Sequence, residues 1–403
     1  MRVLMINSFF SVGGPPRIMN GIYDTLVANG HECKIAAARE KEYAPKDSIK
    51  IGNKLTVYKN AILSRLFDSE GFCAKSETKK LVKQIEEYKP DIIHIHNLHG
   101  YYINIEILFD YLKSANIPVV WTLHDCWVFT GHCPHFDFVG CSQWKSGECR
   151  KCIQKAIYPK CVGFSNSHKN YKRKKKAFTG INNMILVSVS HWLKSAISKS
   201  FLKDYQCEVI YNGVNLDCFR PTKSNFRKEY GLENKSLLLG VAQHWELRKG
   251  FDDFIELAKR LDSEYAVVLI GISDEQKKQL PDNVIAIDAT NSAEELAEIY
   301  TAADLFLNLS VEETFGLVTV EALACGTPVL VYNKTASPEL IDESCGMVVK
   351  KENGIDALYD AVCQKLWKKL SPDDCVSRAE KFDKNKKYIE YVKLYEKIVK
   401  DKM

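Results

Sequence analysis

The sequence predicts an α/β protein of two domains, each built around a parallel β-sheet. Its 403 residues exceed what one hydrophobic core usually supports. Short β-branched runs alternate with amphipathic stretches, and this alternation of strand and helix produces parallel sheets with right-handed crossovers. The pattern stops at a polar, turn-rich passage, residues 207–221, and then starts again. We therefore expect a first domain over residues 1–208 and a second over residues 209–383.

Apolar runs predict the strands of the first domain, and amphipathic stretches predict the helices between them. The strands are residues 3–6, 33–37, 91–95, 118–122 and 185–189, and the helices are residues 17–29, 78–88 and 105–115. The spacing of Ile18, Ile22 and Leu26 gives the first helix one apolar stripe. An insertion, residues 126–161, is dense in Cys, Trp and Gly and follows neither period, which is typical of a functional or tethered loop.

The second domain repeats the same alternation and is followed by a Lys-rich helical tail. Its predicted strands are residues 236–241, 265–270, 283–287, 305–309 and 328–331, with a helix over residues 292–302. The final helix, residues 384–403, carries an apolar face of Tyr388, Tyr391, Leu394, Tyr395 and Ile398. So many aromatic side chains require a packing partner. We expect this helix to cross back and dock on the first domain.

Composition is that of an ordinary globular protein, with 46% hydrophobic and 27% charged residues. The net charge of +5 is small for this length and does not indicate a nucleic-acid partner. The opening apolar run, residues 1–6, is too short for a signal peptide, and no stretch approaches the length that spans a bilayer. We therefore expect a cytoplasmic protein whose fourteen cysteines are mostly reduced, buried hydrophobes.

The most informative stretch is residues 311–329, in which seven residues separate Glu313 from Glu321. A predicted strand ends before Glu313, and Gly316 opens a helix that contains Glu321. Both carboxylates therefore lie at the carboxyl end of a parallel strand, where open α/β sheets bind ligands. The N–H groups of a helix start favour a diphosphate, and carboxylates accept hydrogen bonds from sugar hydroxyls. The alternative is a pair of solvated glutamates near a helix start.

This stretch resembles the E-x7-E signature of the retaining nucleotide-sugar glycosyltransferases of family 4. Those enzymes have the GT-B fold, in which two Rossmann-like domains face a cleft. The hinge-like residues 211–221 and the Lys249-Gly250 pair belong to the same resemblance. Residues 91–100, residues 121–125 and the Cys-rich passage resemble the branch of the colanic acid biosynthesis glycosyltransferases.

The resemblance implies a function and a donor site. The function is transfer of a hexose-type sugar from a UDP- or GDP-linked donor to a glycan acceptor, and the acceptors of this branch are often lipid-linked. Glu313 is expected to hold the donor sugar and Glu321 the ribose. The residues assigned to the same donor site are Thr314, Phe315, Gly316 and Leu317.

The acceptor that the resemblance implies is a lipid-linked glycan in surface polysaccharide biosynthesis, such as O-antigen, capsule or exopolysaccharide, and transfer retains the anomeric configuration. Other classes share this architecture, because a fold does not determine a function. A nucleotide-sugar epimerase or phosphorylase is one alternative, and a non-catalytic nucleotide-sugar-binding protein is another.

Basic residues and glycines complete the expected phosphate site. Arg248 and Lys249 lie at a turn that faces the same crevice, where Lys249 would stabilise the charge on the leaving diphosphate. Many members of the resembled family carry an Arg where this chain has Gln243, so either Arg248 substitutes for it or the donor is held differently. Gly13 and Gly14 allow close approach of the backbone to a ligand. No Asp-x-Asp occurs, so we expect no catalytic metal or cofactor.

Histidines follow two predicted strands of the first domain. His124 comes after residues 118–122, and Asp125 behind it could orient the imidazole. The resemblance implies that His124 contacts the donor sugar, and the alternative is a structural histidine. Alternation places His94 and His96 on one face, with His99 just beyond. No carboxylate or Cys joins these three at ligand spacing, which favours packing and acceptor contacts over a metal.

Two further clusters leave alternatives open. Cys133, Cys141, Cys149 and Cys152 either hold a structural zinc or pack as reduced thiols, since the C-x2-C half is common in zinc sites but the seven-residue spacing is not. The basic run at residues 169–178, densest at Lys172–Lys176, is a solvated helix face, an anionic membrane contact or a nucleic-acid contact. The resemblance to enzymes with lipid-linked acceptors favours the membrane and a peripheral location on its inner face.

Overall fold

The computed structural model describes residues 1–11, 13–39 and 44–402 and divides the chain into two compact units. The first unit comprises Met1–Tyr211 and the C-terminal residues from Lys387 onward. The second unit comprises Asn212–Lys386. Each unit is an α/β domain with one parallel sheet, which confirms the predicted fold class.

The sheet of the first unit has seven parallel strands in the order β3-β2-β1-β4-β5-β6-β7. They are β1 (Arg2–Phe9), β2 (Glu32–Arg39), β3 (Ile49–Lys50), β4 (Ile92–Ile95), β5 (Val119–Leu123), β6 (Met184–Ser188) and β7 (Cys207–Val209). β4 and β5 are buried along their whole length, because helices cover both faces of a parallel sheet. Their continuous apolar runs are the signal by which the sequence predicted them.

Helices of the first unit lie between these strands. They are α1 (Gly14–Ala28), α2 (Lys54–Phe67), α3 (Lys75–Tyr88), α4 (Ile105–Ala115), α5 (Gln143–Ser146), α6 (Ser167–Phe178) and α7 (His191–Ile197). α1 starts with two prolines in its first turn, which suits the N-terminal positions that lack hydrogen-bond partners. α4 starts where the side chain of Asn104 accepts a hydrogen bond from the backbone N–H of Ile107 at 3.1 Å.

The second unit contains six parallel strands in the order β10-β9-β8-β11-β12-β13. They are β8 (Ser236–Val241), β9 (Tyr265–Ile270), β10 (Val284–Ile287), β11 (Leu305–Asn308), β12 (Val329–Tyr332) and β13 (Gly346–Val349). Its helices are α8 (Phe226–Glu229), α9 (Phe251–Arg260), α10 (Asp274–Lys277), α11 (Ala293–Ala302), α12 (Leu317–Ala324), α13 (Gly354–Cys363) and α14 (Pro372–Ala379). A side chain at Gly240 would meet the Phe254 ring at 2.6 Å, so glycine permits the close packing of α9 on β8.

The last helix, α15 (Lys384–Lys402), packs on the sheet of the first unit. The hydroxyl of Tyr395 lies 2.6 Å from Nδ1 of His94 on β4. A side chain at Gly21 of α1 would collide with the ring of Tyr388, which shows how closely α15 lies against α1. The aromatic face of the tail is therefore buried. In the part of the chain that the structure describes, no helix is long and apolar enough to cross a bilayer.

Both sheets change winding direction beside their first strand. In the first unit the chain moves from β1 outward to β2 and β3, and then returns to β4 on the other side of β1. In the second unit the same reversal separates β8 from β11. The loops that follow the two strands diverge at such a point and leave a crevice, which is where open α/β sheets bind ligands.

Candidate functional site

The reversal point of the second unit holds a cluster of three charged side chains. The loop after β8 forms a 3-10 turn, Leu247–Lys249, and the loop after β11 carries Glu313. The Lys249 ammonium forms an ion pair and a short hydrogen bond with Oε1 of Glu313. Nη1 of Arg248 lies 3.9 Å from Oε2 of the same carboxylate. The structure thus brings together two predicted phosphate-binding cations and the predicted sugar-binding carboxylate.

Backbone contacts between the two loops fix this cluster. The N–H of Val311 donates to the Arg248 carbonyl at 2.8 Å, and Nη1 of Arg248 donates to the Glu312 carbonyl at 3.1 Å. Gly250 has a φ of +76°, and a side chain there would lie 2.3 Å from the Leu309 carbonyl oxygen. Only glycine allows both this backbone conformation and this approach. The loop therefore requires glycine directly after Lys249.

The electrostatic state of the cluster is set by burial and by the two cations. Only 8% of Glu313 is exposed. Burial raises the pKa of a carboxylate, but the charges of Lys249 and Arg248 outweigh it and lower the pKa of Glu313 to about 2. Burial lowers the pKa of Lys249, and the neighbouring Glu313 opposes this change. The cluster contains a carboxylate, which can accept hydrogen bonds from hydroxyls, and two cations, which can attract phosphate.

The remaining predicted donor residues surround the start of α12. Gly316 precedes the helix with a φ of +105°, Phe315 is buried, and Thr314 and Leu317 are half-buried. Glu321 lies within α12, where it is buried and accepts a hydrogen bond from the Tyr300 hydroxyl at 3.4 Å. The N–H of Thr319 donates to the Gly316 carbonyl at 3.0 Å. The other N–H groups of a first helical turn have no partner four residues earlier in the helix, which is why helix starts can bind anions.

The structure places Gln243, which stands where many members of the resembled family carry an Arg, differently from Arg248, the residue expected to substitute for that Arg. Gln243 is exposed in the loop after β8, whereas Arg248 approaches Glu313. Arg248 is therefore the residue placed to supply the second cation.

In the first unit, Gly13 precedes α1 with a φ of +95°, and no atom lies within 4 Å of the position of a side chain there. The positive φ favours glycine at this position, although a larger side chain would have room, because the loop is open here.

His124 follows β5, and a hydrogen bond joins its ring to that of another histidine. Nε2 of His124 lies 2.9 Å from Nδ1 of His96. Asp125 instead contacts Nε2 of His99 at 2.7 Å and accepts from the N–H of Trp127 at 2.9 Å. The charge of Asp125 still acts on the pKa of His124, which it raises against the effect of burial, and its orienting role stays a prediction. The turn after β5 directs the carboxylate towards His99, while His96 contacts His124.

His94, His96 and His124 form a row of contacts that begins at Tyr395 of α15, and all three are neutral. His94 contacts the Thr122 hydroxyl at 2.9 Å, and its ring lies 4.1 Å from that of His96. Burial lowers the pKa of His94 to about 3 and that of His124 to about 4, and it holds the pKa of His96 well below its usual range. These imidazoles therefore act as hydrogen-bonding groups rather than cations at neutral pH.

A buried nitrogen without a hydrogen-bond partner allows the tautomers of His96 and His124 to be assigned. Nε2 of His96 is buried and has no hydrogen-bond partner. A buried N–H without a partner is the costlier arrangement, so the proton of His96 is assigned to Nδ1. Nε2 of His124 then accepts that proton in the hydrogen bond, which leaves the N–H of neutral His124 on Nδ1.

Four of the six cysteines in the insertion line one small cavity of about 20 Å³, namely Cys133, Cys141, Cys149 and Cys152. All four thiols are free, and Cys133 shares a hydrogen bond with Cys152. That hydrogen bond raises the pKa of Cys133 and lowers the pKa of Cys152 to about 6. Within residues 1–11, 13–39 and 44–402, no group of three or more His, Cys, Asp or Glu is arranged to hold a metal ion. The structural zinc stays a prediction.

The basic run lies on α6, and its central lysine does not face solvent. Lys174 is 1% exposed, donates to the carbonyls of Trp127 and Thr130 at 2.7 and 3.2 Å, and lies over the Trp127 ring. Arg173 forms a bidentate pair with Glu106. The interpretation of Lys172–Lys176 as one membrane-facing surface is therefore wrong for Lys174. The helical period turns that residue inward, where it ties the insertion to the core.

Comparisons with known proteins found two family models that match the chain. Residues 12–218 match the model described as Glycosyltransferase Family 4, and residues 222–382 match that of glycosyl transferases group 1. The chain is 24% identical over 313 residues to the putative colanic acid biosynthesis glycosyl transferase WcaC of Escherichia coli K12, covering 75% of this chain and 74% of that protein.

Solved structures share the two-domain GT-B fold. Sucrose-phosphate synthase from Thermosynechococcus elongatus superposes with a TM-score of 0.71 at 17% identity and covers 98% of both chains. Anabaena Alr3699/HepE, solved in complex with UDP and glucose, superposes with a TM-score of 0.68 at 15% identity and covers 98% of this chain and 100% of its own. At such identities the likeness shows the fold.

Proposed function

Since the chain belongs to glycosyltransferase family 4, we propose that it transfers a hexose-type sugar from a nucleoside-diphosphate donor to a glycan acceptor with retention of configuration. The observation that carries this proposal is the cluster of Arg248, Lys249 and Glu313 at the reversal point of the second sheet. Its two cations suit a diphosphate, and its carboxylate suits a sugar hydroxyl. The UDP and glucose named for the Anabaena structure support a UDP-linked donor.

Charge stabilisation at the leaving group is the main catalytic effect in this scheme. The bond between the anomeric carbon and the diphosphate oxygen breaks, and negative charge grows on the diphosphate. Lys249, Arg248 and the N–H groups at the start of α12 stabilise that charge. The acceptor hydroxyl forms the new bond on the same face of the sugar and passes its proton to the departing diphosphate oxygen.

Other residues hold the donor in place. Glu313 accepts hydrogen bonds from sugar hydroxyls, and Glu321, beside Tyr300, accepts from the ribose. His124 contacts the sugar, and the loop at Gly13 and Gly14 borders the phosphate. The relationship to colanic acid and O-antigen biosynthesis enzymes favours a surface polysaccharide as the product.

The test is incubation of the purified protein with a panel of UDP- and GDP-hexoses. We expect one nucleotide class to raise the midpoint of thermal unfolding, because ligands that bind the native state stabilise it by mass action. The donor of that class should be hydrolysed slowly without acceptor and consumed faster with a glycan acceptor. Interconversion of sugars without hydrolysis would instead identify an epimerase, and binding without turnover would identify a binding protein.

A further inference from the structure

The helix α2 presents its apolar residues to solvent. Leu55 is 79% exposed and Tyr58 69%, and Ile62 and Leu66 are also exposed, at 42% and 49%. Their spacing of three and four residues places them on one side of the helix. The opposite side buries polar groups such as Asn60. A surface helix normally buries its apolar side, so this inverted arrangement requires a partner outside the described fold.

The Cys-rich insertion extends the same surface. Phe164 is 93% exposed and Val162 61%. The N–H of Val162 donates to the Arg65 carbonyl at 2.9 Å, and a side chain at Gly163 would lie 2.4 Å from the Leu66 carbonyl oxygen. These two exposed residues therefore lie directly against the last turn of α2. The docking face consists of Leu55, Tyr58, Ile62, Leu66, Val162 and Phe164.

The two segments that form the docking face carry charges of one sign. Residues 54–67 contain three basic residues and residues 152–166 contain two, which makes five, and neither segment contains Asp or Glu. All five are exposed, namely Lys54, Lys59, Arg65, Lys155 and Lys160. An apolar centre with a basic rim matches the interface of an anionic bilayer. A second copy of the same face would bring like charges together, which disfavours self-association.

The segment that carries Val162 and Phe164 also reaches the polar side chains at the carboxyl ends of β4 and β5. Tyr158 lies in the same basic segment, and its hydroxyl is 2.8 Å from Nδ1 of His99. His99 in turn contacts Asp125. One segment therefore connects the docking face to polar side chains that can hydrogen-bond to hydroxyls.

We propose that the docking face rests on an anionic lipid surface, with its apolar side chains in the headgroup and acyl boundary and its basic rim on the lipid phosphates. This contact brings the cluster of Tyr158, His99 and Asp125 to a lipid-linked acceptor. The membrane contact is inferred from the exposed face alone. Only the statement about the acceptor rests on the proposed function. The apolar part lies on α2 and the insertion rather than on the basic run of α6.

Vesicle binding tests the proposal. The full chain is mixed with vesicles of phosphatidylglycerol and phosphatidylcholine, or of phosphatidylcholine alone, and the bound fraction is measured by sedimentation. We expect binding to the anionic vesicles only. The double variant Leu55→Gln with Phe164→Gln should bind at least about tenfold more weakly, because two apolar side chains no longer enter the interface. Its unfolding midpoint should be unchanged, since both side chains are exposed.

Two control variants separate this face from other surfaces. Lys175→Gln with Lys176→Gln removes exposed charge from α6, and Leu366→Gln removes an apolar side chain that is 46% exposed in the second unit. Both should bind anionic vesicles within about twofold of the wild type. The proposal would be overturned if the wild type did not bind vesicles or if the Leu55 and Phe164 variant bound as well as the wild type. It would also be overturned if the α6 variant lost binding instead. A concentration-dependent dimer that the Leu55 and Phe164 variant abolishes would overturn it as well.

Donor hydrolysis without vesicles distinguishes the two proposals. The Leu55 and Phe164 variant should hydrolyse the donor at the wild-type rate, because neither residue touches the donor cluster. Vesicle binding as expected, with no turnover of any donor, would remove the proposed function and leave the membrane contact standing. Turnover with no vesicle binding would do the reverse.

Discussion

Replacing Glu313 with Gln removes one charge from the donor cluster and preserves the size of the side chain. The pKa of Glu313 is about 2 instead of 4.5, a difference that corresponds to roughly 3 kcal/mol of interaction with its surroundings. Gln cannot form the ion pair with Lys249 and accepts weaker hydrogen bonds from a sugar. We expect a folded variant whose kcat/KM for the donor falls by at least ~100-fold, since the lost contacts act in the transition state.

The assay is release of nucleoside diphosphate in the presence of acceptor, with thermal unfolding as a check on folding. Glu246→Gln is the matched control, because Glu246 contacts Arg248 at 3.1 Å but its side chain is 52% exposed, and activity should stay within about twofold. A carboxylate with a lowered pKa stabilises the fold above pH 4.5 and loses this effect as the pH falls towards 2. The stability difference between wild type and variant should shrink in that window. Near-normal turnover of Glu313→Gln would remove this residue from the scheme.

Four further predictions concern the remaining features. His96→Asn, whose amide can replace Nδ1, should keep kcat/KM within about fivefold, whereas His96→Gln should lose about tenfold; equal loss in both would refute the orienting role. Activity should survive EDTA in a short assay, and loss that Mg²⁺ restores would contradict the metal-free scheme. Metal analysis should find about one zinc per chain, and replacing Cys149 and Cys152 with Ser should lower stability more than activity; metal-free protein of full stability would favour packed thiols. Lys174→Gln should lower the free energy of unfolding by about 1–3 kcal/mol and Lys175→Gln by almost nothing, and equal effects would contradict the buried anchor.

Much of the fold could be predicted because its strands are short and apolar throughout. Residues 236–241 and 265–270 were predicted to their exact bounds, and the helix at residues 105–115 likewise. A parallel strand is buried on both faces, so its sequence is distinct from the amphipathic helices beside it. The placement of Glu313 before Gly316 and of Glu321 within the following helix also agrees with the structure.

Other features depend on contacts between distant residues that no local pattern records. The helix α2 was not predicted, because its apolar side faces solvent and its buried side is partly polar. His124 contacts His96, 28 residues away, whereas Asp125 next to it contacts His99. The Thr335 hydroxyl accepts a hydrogen bond from the N–H of Glu313 at 2.8 Å, and nothing near Thr335 in the sequence indicates this. Lys174 was interpreted as part of a charged surface because it lies in a run of basic residues, but its position in the helical period places it on the buried side of α6.

The central claim is sugar transfer from a nucleoside-diphosphate donor with retention of configuration. Proton NMR of the reaction tests it most directly, by following the anomeric signal while the wild-type chain consumes an α-linked UDP- or GDP-hexose. We predict that the first sugar released to water, or linked to an acceptor, has the α configuration, and that Lys249→Ala slows its appearance by at least ~100-fold. A β product, an epimerised sugar or no consumption of any such donor would contradict the account.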